Sequence, residues 1–330
     1  MNEIRWGIIG CGNVTEVKSG PGLQKANGSR LTAVMRRNGA LAEDYARRHQ
    51  VPKWYDRAEA LISDPEVDAI YIATPPSSHM PYVLDAAKAG KPVYVEKPMA
   101  MNAAECETMM QACHEAGVPL FIAYYRRALP RFLKVKEWLE DGAIGDIRTV
   151  LTTHLAKTHP RDLSGDAEVW RVQPELSGGG YFVDVGSHTL DLLDFLLGPI
   201  AEARGFASNQ EGIYAAEDIV SGCYTLESGA QGVGTWCFNA GMNLEQNEII
   251  GSKGRIVFST FAEAPIRLIR ESGIEELFID HPAHIQQPLI QTIVDELLGK
   301  GHCPSRPESA MRTSRVMDAM LQNYYAKSNS

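Results

Sequence analysis

The sequence predicts two domains of different class: an α/β domain with a doubly wound parallel sheet, followed by an α+β domain with a large, open, mostly antiparallel sheet. In the first part of the chain, short apolar strands alternate six times with helical segments, as in a parallel sheet covered on both faces. Beyond Arg126, strand segments follow one another without intervening helices, which indicates antiparallel pairing. We therefore predict the α/β domain over 1–124 and a second domain over 125–330.

Composition excludes several classes of protein. The formal net charge is −9 and no basic stripe is present, which argues against a nucleic-acid partner. No apolar run reaches the length of a membrane span. The six cysteines form no CxxC pair, so we expect reduced thiols in a cytoplasmic protein. His154 and His159 have no carboxylates at ligand spacing, and we predict no metal site.

A glycine-rich turn follows the first apolar strand, Ile4–Ile9. The segment Gly10-Cys-Gly-Asn-Val14 leads into a predicted helix over 14–26, which is the context that a dinucleotide fingerprint requires. The first glycine allows a tight turn, and the second lets a pyrophosphate approach the backbone. Thr15 replaces the third glycine, so a ligand-free turn is the alternative. The predicted cofactor contacts here are Gly10, Gly12, Asn13 and Val14.

The second strand, 30–35, ends in Arg36 and Arg37. A cofactor without a 2′-phosphate usually meets an acidic residue about 20 residues past the glycines, but no Asp or Glu occurs before Glu43. Two guanidinium groups can instead pair with a 2′-phosphate through forked hydrogen bonds. The pattern favours NADP, with NAD possible; the alternative is two solvated arginines.

Polar residues follow the later strands of the first domain as well. Strand 69–73 ends in Thr74-Pro75, with His79 four residues on, and strand 93–95 runs directly into Glu96-Lys97-Pro98. Strand 120–123 is followed by Tyr125 and Arg126. Ligands of open α/β sheets bind at the carboxyl ends of the strands, so these residues predict one rim. For Glu96 and Lys97 the alternative is an exposed salt bridge.

A different pattern occurs in the second half, where Gly178-Gly-Gly180 precedes Asp184 and His188. On a helix, residues four apart share a face, so the carboxylate can orient an imidazole that exchanges a proton with substrate. The alternative is a capping Asp and a surface His. Asp191 and Asp194 are predicted to be solvated charges on the outer face.

These motifs together resemble the glucose–fructose oxidoreductase / inositol dehydrogenase (Gfo/Idh/MocA) family over essentially the whole chain. The resemblance implies an N-terminal Rossmann domain, a cis Lys97–Pro98 peptide bond, and a homodimer or homotetramer formed through the C-terminal sheet. Thr15 departs from the family pattern, as does Tyr125, which stands where asparagine is common. The motifs that carry the resemblance are Gly7 to Asn13, Thr74-Pro75 with His79, Glu96-Lys97-Pro98, Trp170-Arg171, and Gly178-Gly-Gly180 with Asp184, Gly186, His188 and Asp191.

The resemblance also implies hydride transfer between a nicotinamide and a secondary alcohol or carbonyl of a sugar, cyclitol or related polyol. Lys97, or else His188 oriented by Asp184, is the acid–base group, and both alternatives stay open. The further cofactor contacts implied are Thr74, Pro75, His79, Glu96, Lys97, Trp170 and Arg171. The substrate contacts implied are Lys97, Tyr125, Arg126, Asp184 and His188. Rival hypotheses within the fold are an NAD-dependent glycosidase and a non-catalytic dinucleotide-binding regulator.

Overall fold

The structure is a computed structural model that describes residues 2–163 and 169–326. By packing, the chain divides into two compact units. The first contains the described residues up to Leu129 together with Pro282–Met311, and the second contains those of Pro130–His281 and from Arg312 onward. Pro282–Met311, which falls in the predicted second domain, thus packs with the first unit. The boundaries 1–124 and 125–330, as functional domains, stay a prediction.

The first unit contains a six-stranded sheet in the order β3-β2-β1-β4-β5-β6. All neighbouring strands are parallel, and the order reverses beside β1, as in doubly wound dinucleotide-binding folds. This confirms the predicted class. The short β3 had not been assigned individually. The strands are β1 Ile4–Ile9, β2 Ser29–Met35, β3 Lys53–Tyr55, β4 Ala69–Ile72, β5 Val93–Val95 and β6 Leu120–Ile122.

The second unit contains an eight-stranded sheet in the order β14-β13-β12-β11-β7-β10-β9-β8. Its neighbouring strands are antiparallel except for β7 and β10, which confirms a mostly antiparallel sheet. The strands are β7 Ile147–Leu155, β8 Ile200–Ser208, β9 Ile219–Leu226, β10 Gln231–Cys237, β11 Leu244–Gly251, β12 Gly254–Phe258, β13 Ile266–Arg270 and β14 Gly273–Leu277.

Helices connect and cover the strands. In the described part of the chain, none is long and apolar enough to span a membrane. The helices are α1 Asn13–Val17, α2 Ser19–Lys25, α3 Gly39–Arg48, α4 Ala58–Ile62, α5 His79–Lys88, α6 Ala103–Glu115, α7 Pro130–Glu140, α8 Pro160–Leu163, α9 Pro174–Ser177, α10 Ser187–Leu197, α11 Gln287–Leu297 and α12 Pro307–Tyr325.

The single helix predicted over 14–26 is wrong, because the structure has two helices joined at Lys18. Pro21 lacks an N–H and fits only the first turn of a helix, so a new helix begins just before it. The Thr15 carbonyl accepts a hydrogen bond from Tyr45 Oη at 2.9 Å, and a Cβ at Gly20 would collide with the same carbonyl oxygen. The bend is therefore fixed by contacts that the helical pattern does not reveal.

The prediction that Asp191 and Asp194 are solvated is also wrong. Both are buried on α10, whose residues from Ser187 to Asp194 are all buried, so the helix has no outer face there. Arg312 donates to Asp194 from Nε and Nη2, both at 2.8 Å. This two-point pair attaches α12 to α10 within the second unit.

A second buried carboxyl, that of Glu217, lies in the same unit. It accepts hydrogen bonds from Gly180 N at 2.8 Å and from Tyr325 Oη at 2.5 Å. Burial raises the pKa of Glu217 to about 7, although these two hydrogen bonds act in the opposite direction. The end of α12 and the glycine segment before Asp184 are thus joined through one protonatable group.

Replacement of Asp194 by alanine should lower the free energy of unfolding by about 3 kcal/mol, because it leaves the Arg312 guanidinium partly buried without its carboxylate. Urea unfolding at pH 7 measures the change. Asp146→Ala is the matched control, since the Asp146–Arg148 pair is largely exposed and should contribute less than about 1 kcal/mol. Equal effects of the two substitutions would contradict the prediction.

Glu217→Gln should remove a pH dependence of stability. Between its unfolded pKa of 4.5 and its folded value of about 7, folded Glu217 keeps a proton that the unfolded chain has lost. The wild-type free energy of unfolding therefore falls by up to about 3 kcal/mol as pH rises through this window, and then levels off. Urea unfolding of both proteins from pH 4.5 to 8 gives the difference in slope; parallel curves would contradict the assignment.

Candidate functional site

The glycine turn after β1 requires glycine at its first position. Gly10 has a φ of 91°, in the left-handed region that favours glycine, and a Cβ there would lie 2.8 Å from the Thr74 side chain. Gly10 N and Cys11 N both donate to the Met35 carbonyl, at 2.9 and 3.2 Å. The turn is thereby attached to the end of β2 and packed against the end of β4.

The next residues of the turn offer open backbone N–H groups. Among the described residues, a Cβ at Gly12 would meet only the Gly10 carbonyl oxygen, at 3.9 Å, so none of them crowds the space beside this backbone. The N–H groups of Gly12 and Asn13 have no acceptor within residues 2–163 and 169–326. Unpaired N–H groups at the start of a helix suit an anion, and this turn therefore fits the pyrophosphate of a dinucleotide.

Thr15 takes the place of the third glycine without disturbing this geometry. Its side chain is fully buried, and Oγ1 donates to the Gly12 carbonyl at 2.7 Å. The Thr15 hydroxyl thus adds a hydrogen bond within the turn. The departure from the three-glycine pattern leaves the Gly12 backbone partly exposed.

Two predicted cofactor residues at the end of β2, Arg36 and Arg37, are exposed. Neither guanidinium has an ion-pair partner in the described part of the chain. Burial raises the pKa of the Cys11 thiol to about 11, and the positive charge of Arg36 acts in the opposite direction. Arg36 is therefore close enough to the glycine turn to influence its electrostatics.

Thr74 carries a buried hydroxyl without a partner. Its Oγ1 is inaccessible and makes no hydrogen bond within the described residues, although the Thr74 methyl packs against the Gly10 position. Buried polar atoms in native structures are almost always hydrogen-bonded, so an unpaired hydroxyl beside an open glycine turn is the kind of feature a ligand completes. Pro75, the next predicted contact, is half-buried.

Glu96, at the end of β5, is buried and holds several partners. Its Oε1 accepts hydrogen bonds from Tyr71 Oη at 2.7 Å and Gln286 Nε2 at 2.8 Å. Its Oε2 accepts the backbone N–H of Lys97 at 3.2 Å. Tyr94 Oη completes the group by donating to Gln286 Oε1 at 3.1 Å. The carboxylate predicted as a cofactor contact therefore stabilises the local backbone as well.

Lys97 follows this network directly and is half-buried. The Lys97–Pro98 peptide bond is cis, as the resemblance implied. The Tyr71 and Tyr94 rings, which belong to the Glu96 network, stack with their centres 4.7 Å apart, and burial raises the pKa of each phenol well above its usual range. Tyr71 and Gln286 were missed from sequence, because a tyrosine within a strand and a distant glutamine give no local signal.

His79 is the predicted cofactor contact that the structure places deepest. The ring has no exposed surface. Its Nε2 lies 2.8 Å from the Thr74 carbonyl, and its Nδ1 lies 3.1 and 3.2 Å from the carbonyls of Pro98 and Met99. The side chain contacts backbone on two rim segments, and no part of it is accessible to a ligand in this structure.

Tyr125 and Arg126, the predicted substrate residues of the first unit, form a 3₁₀ turn, Tyr125–Ala128, just after β6. Both are buried, and the Arg126 guanidinium lies 4.9 Å from the Tyr125 ring centre. A guanidinium over an aromatic ring is a stabilising cation–π arrangement. Their role towards a substrate stays a prediction.

In the second unit, three predicted residues lie together. Arg171 Nε donates to Asp184 Oδ2 at 2.8 Å, and its guanidinium stacks 4.5 Å from the Trp170 ring centre. Asp184 belongs to a π-helical turn, Phe182–Gly186, whereas His188 is the second residue of α10. The simple helical spacing assumed from sequence therefore does not apply. That Asp184 orients His188 stays a prediction.

His188 is buried beside the Phe261 ring, with ring centres 5.9 Å apart. The adjacent Thr189 places its Oγ1 3.2 Å from Thr260 Oγ1, which accepts from Asn247 Nδ2 at 2.9 Å. All three residues of this chain of hydrogen bonds are buried. It fixes the start of α10 on the sheet, and sequence gave no signal for it because its members come from three separate segments.

Comparison with known proteins agrees with this arrangement. The family described as "Oxidoreductase family, NAD-binding Rossmann fold" matches residues 4–124, and the "GFO/IDH/MocA C-terminal domain" matches residues 132–257. Oxidoreductase P35 of Formosa agariphila is 41% identical over 318 residues, covering 96% of this chain and 98% of that protein. Myo-inositol 2-dehydrogenase of Thermotoga maritima is 30% identical over 277 residues, covering 82% and 79%.

A solved structure of a levoglucosan dehydrogenase, in complex with NADH and levoglucosan, superimposes with a TM-score of 0.87 at 22% identity and covers 98% of each chain. This similarity concerns the fold. The two family matches together cover most of the chain, and Oxidoreductase P35 aligns with 96% of it. The chain belongs to the Gfo/Idh/MocA family of oxidoreductases, and its N-terminal domain is an NAD(P)-binding Rossmann domain.

Proposed function

We propose that this chain transfers a hydride between NAD(P) and a secondary alcohol or carbonyl carbon of a sugar, cyclitol or related polyol. One observation carries the proposal: the neighbouring strands β1, β4 and β5 all end in features that suit a ligand. The glycine turn follows β1, the Thr74 hydroxyl follows β4, and the hydrogen-bonded Glu96-Lys97 segment follows β5. Ligands of such sheets bind at this edge. The names of the relatives, myo-inositol 2-dehydrogenase and levoglucosan dehydrogenase, support the substrate class.

The cofactor would supply the hydride acceptor or donor, and the chain's residues would bind and orient the reactants. The N–H groups of Gly12 and Asn13 would hold the pyrophosphate, and Val14 would follow them in the turn. The Thr74 hydroxyl, which is buried and without a partner within the described residues, would gain one from the cofactor after its side chain rotates towards the glycine turn. Pro75 limits the backbone freedom of the same rim segment.

Proton transfer at the substrate oxygen requires a positioned acid–base group. Lys97 is one candidate, because it is half-buried at the end of β5 and a positioned lysine can act as a general acid or base. His188 is the other candidate. Asp184, which precedes it on the same segment, is paired with Arg171. The Glu96 network favours Lys97, since it holds the Lys97 backbone N–H in place. Trp170, Tyr125 and Arg126 are the remaining proposed contacts.

A panel of polyols and sugars with NADP and NAD tests the function. We expect at least one polyol to yield NAD(P)H in a one-to-one ratio with the oxidised product, measured by absorbance at the nicotinamide band and by mass spectrometry. Glycosidic cleavage without net change in the cofactor would instead identify an NAD-dependent glycosidase. Nucleotide binding without turnover of any panel member would favour a regulator.

We propose NADP as the preferred cofactor. Arg36 and Arg37 are exposed at the end of β2, Arg36 influences the adjacent glycine turn, and no acidic residue stands there to hold ribose hydroxyls. Guanidinium groups recognise phosphate through paired, charge-assisted hydrogen bonds. A 2′-phosphate would thus find two cations that have no ion-pair partner among the described residues.

Replacing both Arg36 and Arg37 by alanine should lower kcat/KM for NADP by about 10- to 100-fold, since hydrogen bonds to charged groups contribute about 1.5–3 kcal/mol. The value for NAD should change by less than about 3-fold. Arg30→Ala is the control, because Arg30 lies at the opposite end of β2 and pairs with Glu3. Equal losses with both cofactors would contradict the preference.

We further propose that the sheet of the second unit joins copies of this chain. Val233 lies opposite Leu151 and Cys223 on neighbouring strands, and all three side chains are exposed. Phe206, on β8, is 81% exposed. Apolar side chains exposed together on one sheet face are typical of an interaction surface.

Val233→Asp should therefore shift the chain to a smaller assembly, because a charge would be buried in the contact. Size-exclusion chromatography with light scattering measures the mass. Leu133→Asp is the control, since Leu133 is exposed on α7 and away from the sheet. A wild-type monomer, or an unchanged oligomer in Val233→Asp, would contradict this surface.

A further inference from the structure

His79 joins two segments of the rim that are distant in sequence. From the first residue of α5, its ring reaches the carbonyl of Thr74 on one side and those of Pro98 and Met99 on the other. Thr74 ends the β4 segment, and Pro98 directly follows Lys97. The ring is thus the side chain that connects the turn after β4 to the loop that carries the candidate acid–base lysine.

The environment of the ring excludes direct contact with reactants. His79 has no exposed surface, and Met99 of the loop and the following Ala100 belong to the apolar core. Both nitrogens face carbonyl oxygens, which are acceptors only. Its ring nitrogens therefore contact only backbone carbonyls among the described residues. A cofactor or substrate would contact the Thr74-Pro75 turn and the loop that follows Lys97, and not the ring itself.

The protonation of the ring limits how it can hold them. Burial lowers the pKa of His79, and the facing carbonyls act in the opposite direction. A neutral imidazole carries one N–H, so at neutral pH the ring donates either to Thr74 or to the loop carbonyls. The two sides of the ring can therefore be tested separately.

We propose that His79 is a positioning residue that clamps the Lys97-Pro98-Met99 loop to the Thr74-Pro75 turn. The clamp fixes the position of the candidate acid–base group, Lys97, relative to the candidate cofactor contact, Thr74. This rests on the proposed function. The ring donates its single N–H to one of these two segments and packs against the carbonyls of the other, so its Nδ1 side sets the placement of Lys97 and its Nε2 side that of Thr74, one by a hydrogen bond and the other by contact alone. The proposal replaces the expected direct contact of His79 with the cofactor.

Two substitutions separate the sides of the ring. His79→Asn keeps a donor near the Nδ1 position and loses the Nε2 side, whereas His79→Gln reaches the Nε2 position and loses the Nδ1 side. Thr32→Val is the matched control, because Thr32 is a buried core residue whose hydroxyl has no partner within the described residues. Its removal should leave binding and turnover unchanged.

The measurements are kcat with the best polyol, the dissociation constant of NAD(P)H by fluorescence titration, and the melting temperature. For His79→Gln we expect kcat to fall by about 10- to 100-fold, the size of loss that a misplaced catalytic group produces, with nucleotide affinity within about 3-fold. For His79→Asn we expect the reverse: nucleotide affinity falls by about 10-fold and kcat stays within about 3-fold.

The split between kcat and affinity is the decisive result, because a purely structural role would lower the melting temperature of both variants and leave the two quantities unchanged, or change them together. Either of those results overturns the proposal. Lys97→Met separates this failure from failure of the proposed function. If Lys97→Met abolishes turnover while both His79 variants match wild type, only the clamp is wrong; if no polyol is turned over by wild type, the proposed function is wrong.

Discussion

The buried carboxylate of Glu96 is the constraint on which the rim of the first unit depends. A charge removed from water is costly unless hydrogen bonds compensate it, and Glu96 obtains them from Tyr71, Gln286 and the backbone of Lys97. Gln286 is 190 residues away in sequence. The need to satisfy one carboxylate therefore helps to explain why Pro282–Met311 packs with the first unit.

This network links folding to chemistry. Tyr71 comes from β4 and Tyr94 from β5, so the phenols that surround Glu96 and Gln286 lie on the two strands whose carboxyl ends carry Thr74 and Lys97. The hydrogen bond from the Lys97 N–H to the Glu96 carboxylate fixes the backbone of the half-buried Lys97. His79 adds a second connection between the same two strand ends. Rigid support of this kind is what a positioned acid–base group requires.

The sequence predicted the parts of this account that rest on local signals. The strand–turn–helix around Gly10 and Gly12, and the alternation of strands and helices, depend on neighbouring residues and were confirmed in the fold. Asp194 was misjudged because its burial depends on Arg312 and on a helix enclosed on all sides. The break at Lys18 was missed because Tyr45 and Gly20 create it through tertiary contacts.

The supporting residues of the site were the least predictable. Tyr71, Gln286, Thr189, Thr260 and Asn247 carry no motif, and each acts through a partner from a distant segment. His79 was singled out by its place after Thr74-Pro75, but the pattern alone gave no information about whether its nitrogens would face a ligand or the backbone. Long-range hydrogen bonds of this kind become visible only when the fold brings their members together.

We propose that hydride transfer depends on a positioned acid–base group of this chain, Lys97 or His188. Its most direct test is the single-turnover rate of nicotinamide reduction for wild type, Lys97→Met and His188→Asn across pH 5 to 9. We expect at least one substitution to slow this step by about a hundredfold and to remove a limb of the pH profile, while nucleotide affinity is kept. Wild-type rates and profiles in both variants would contradict it.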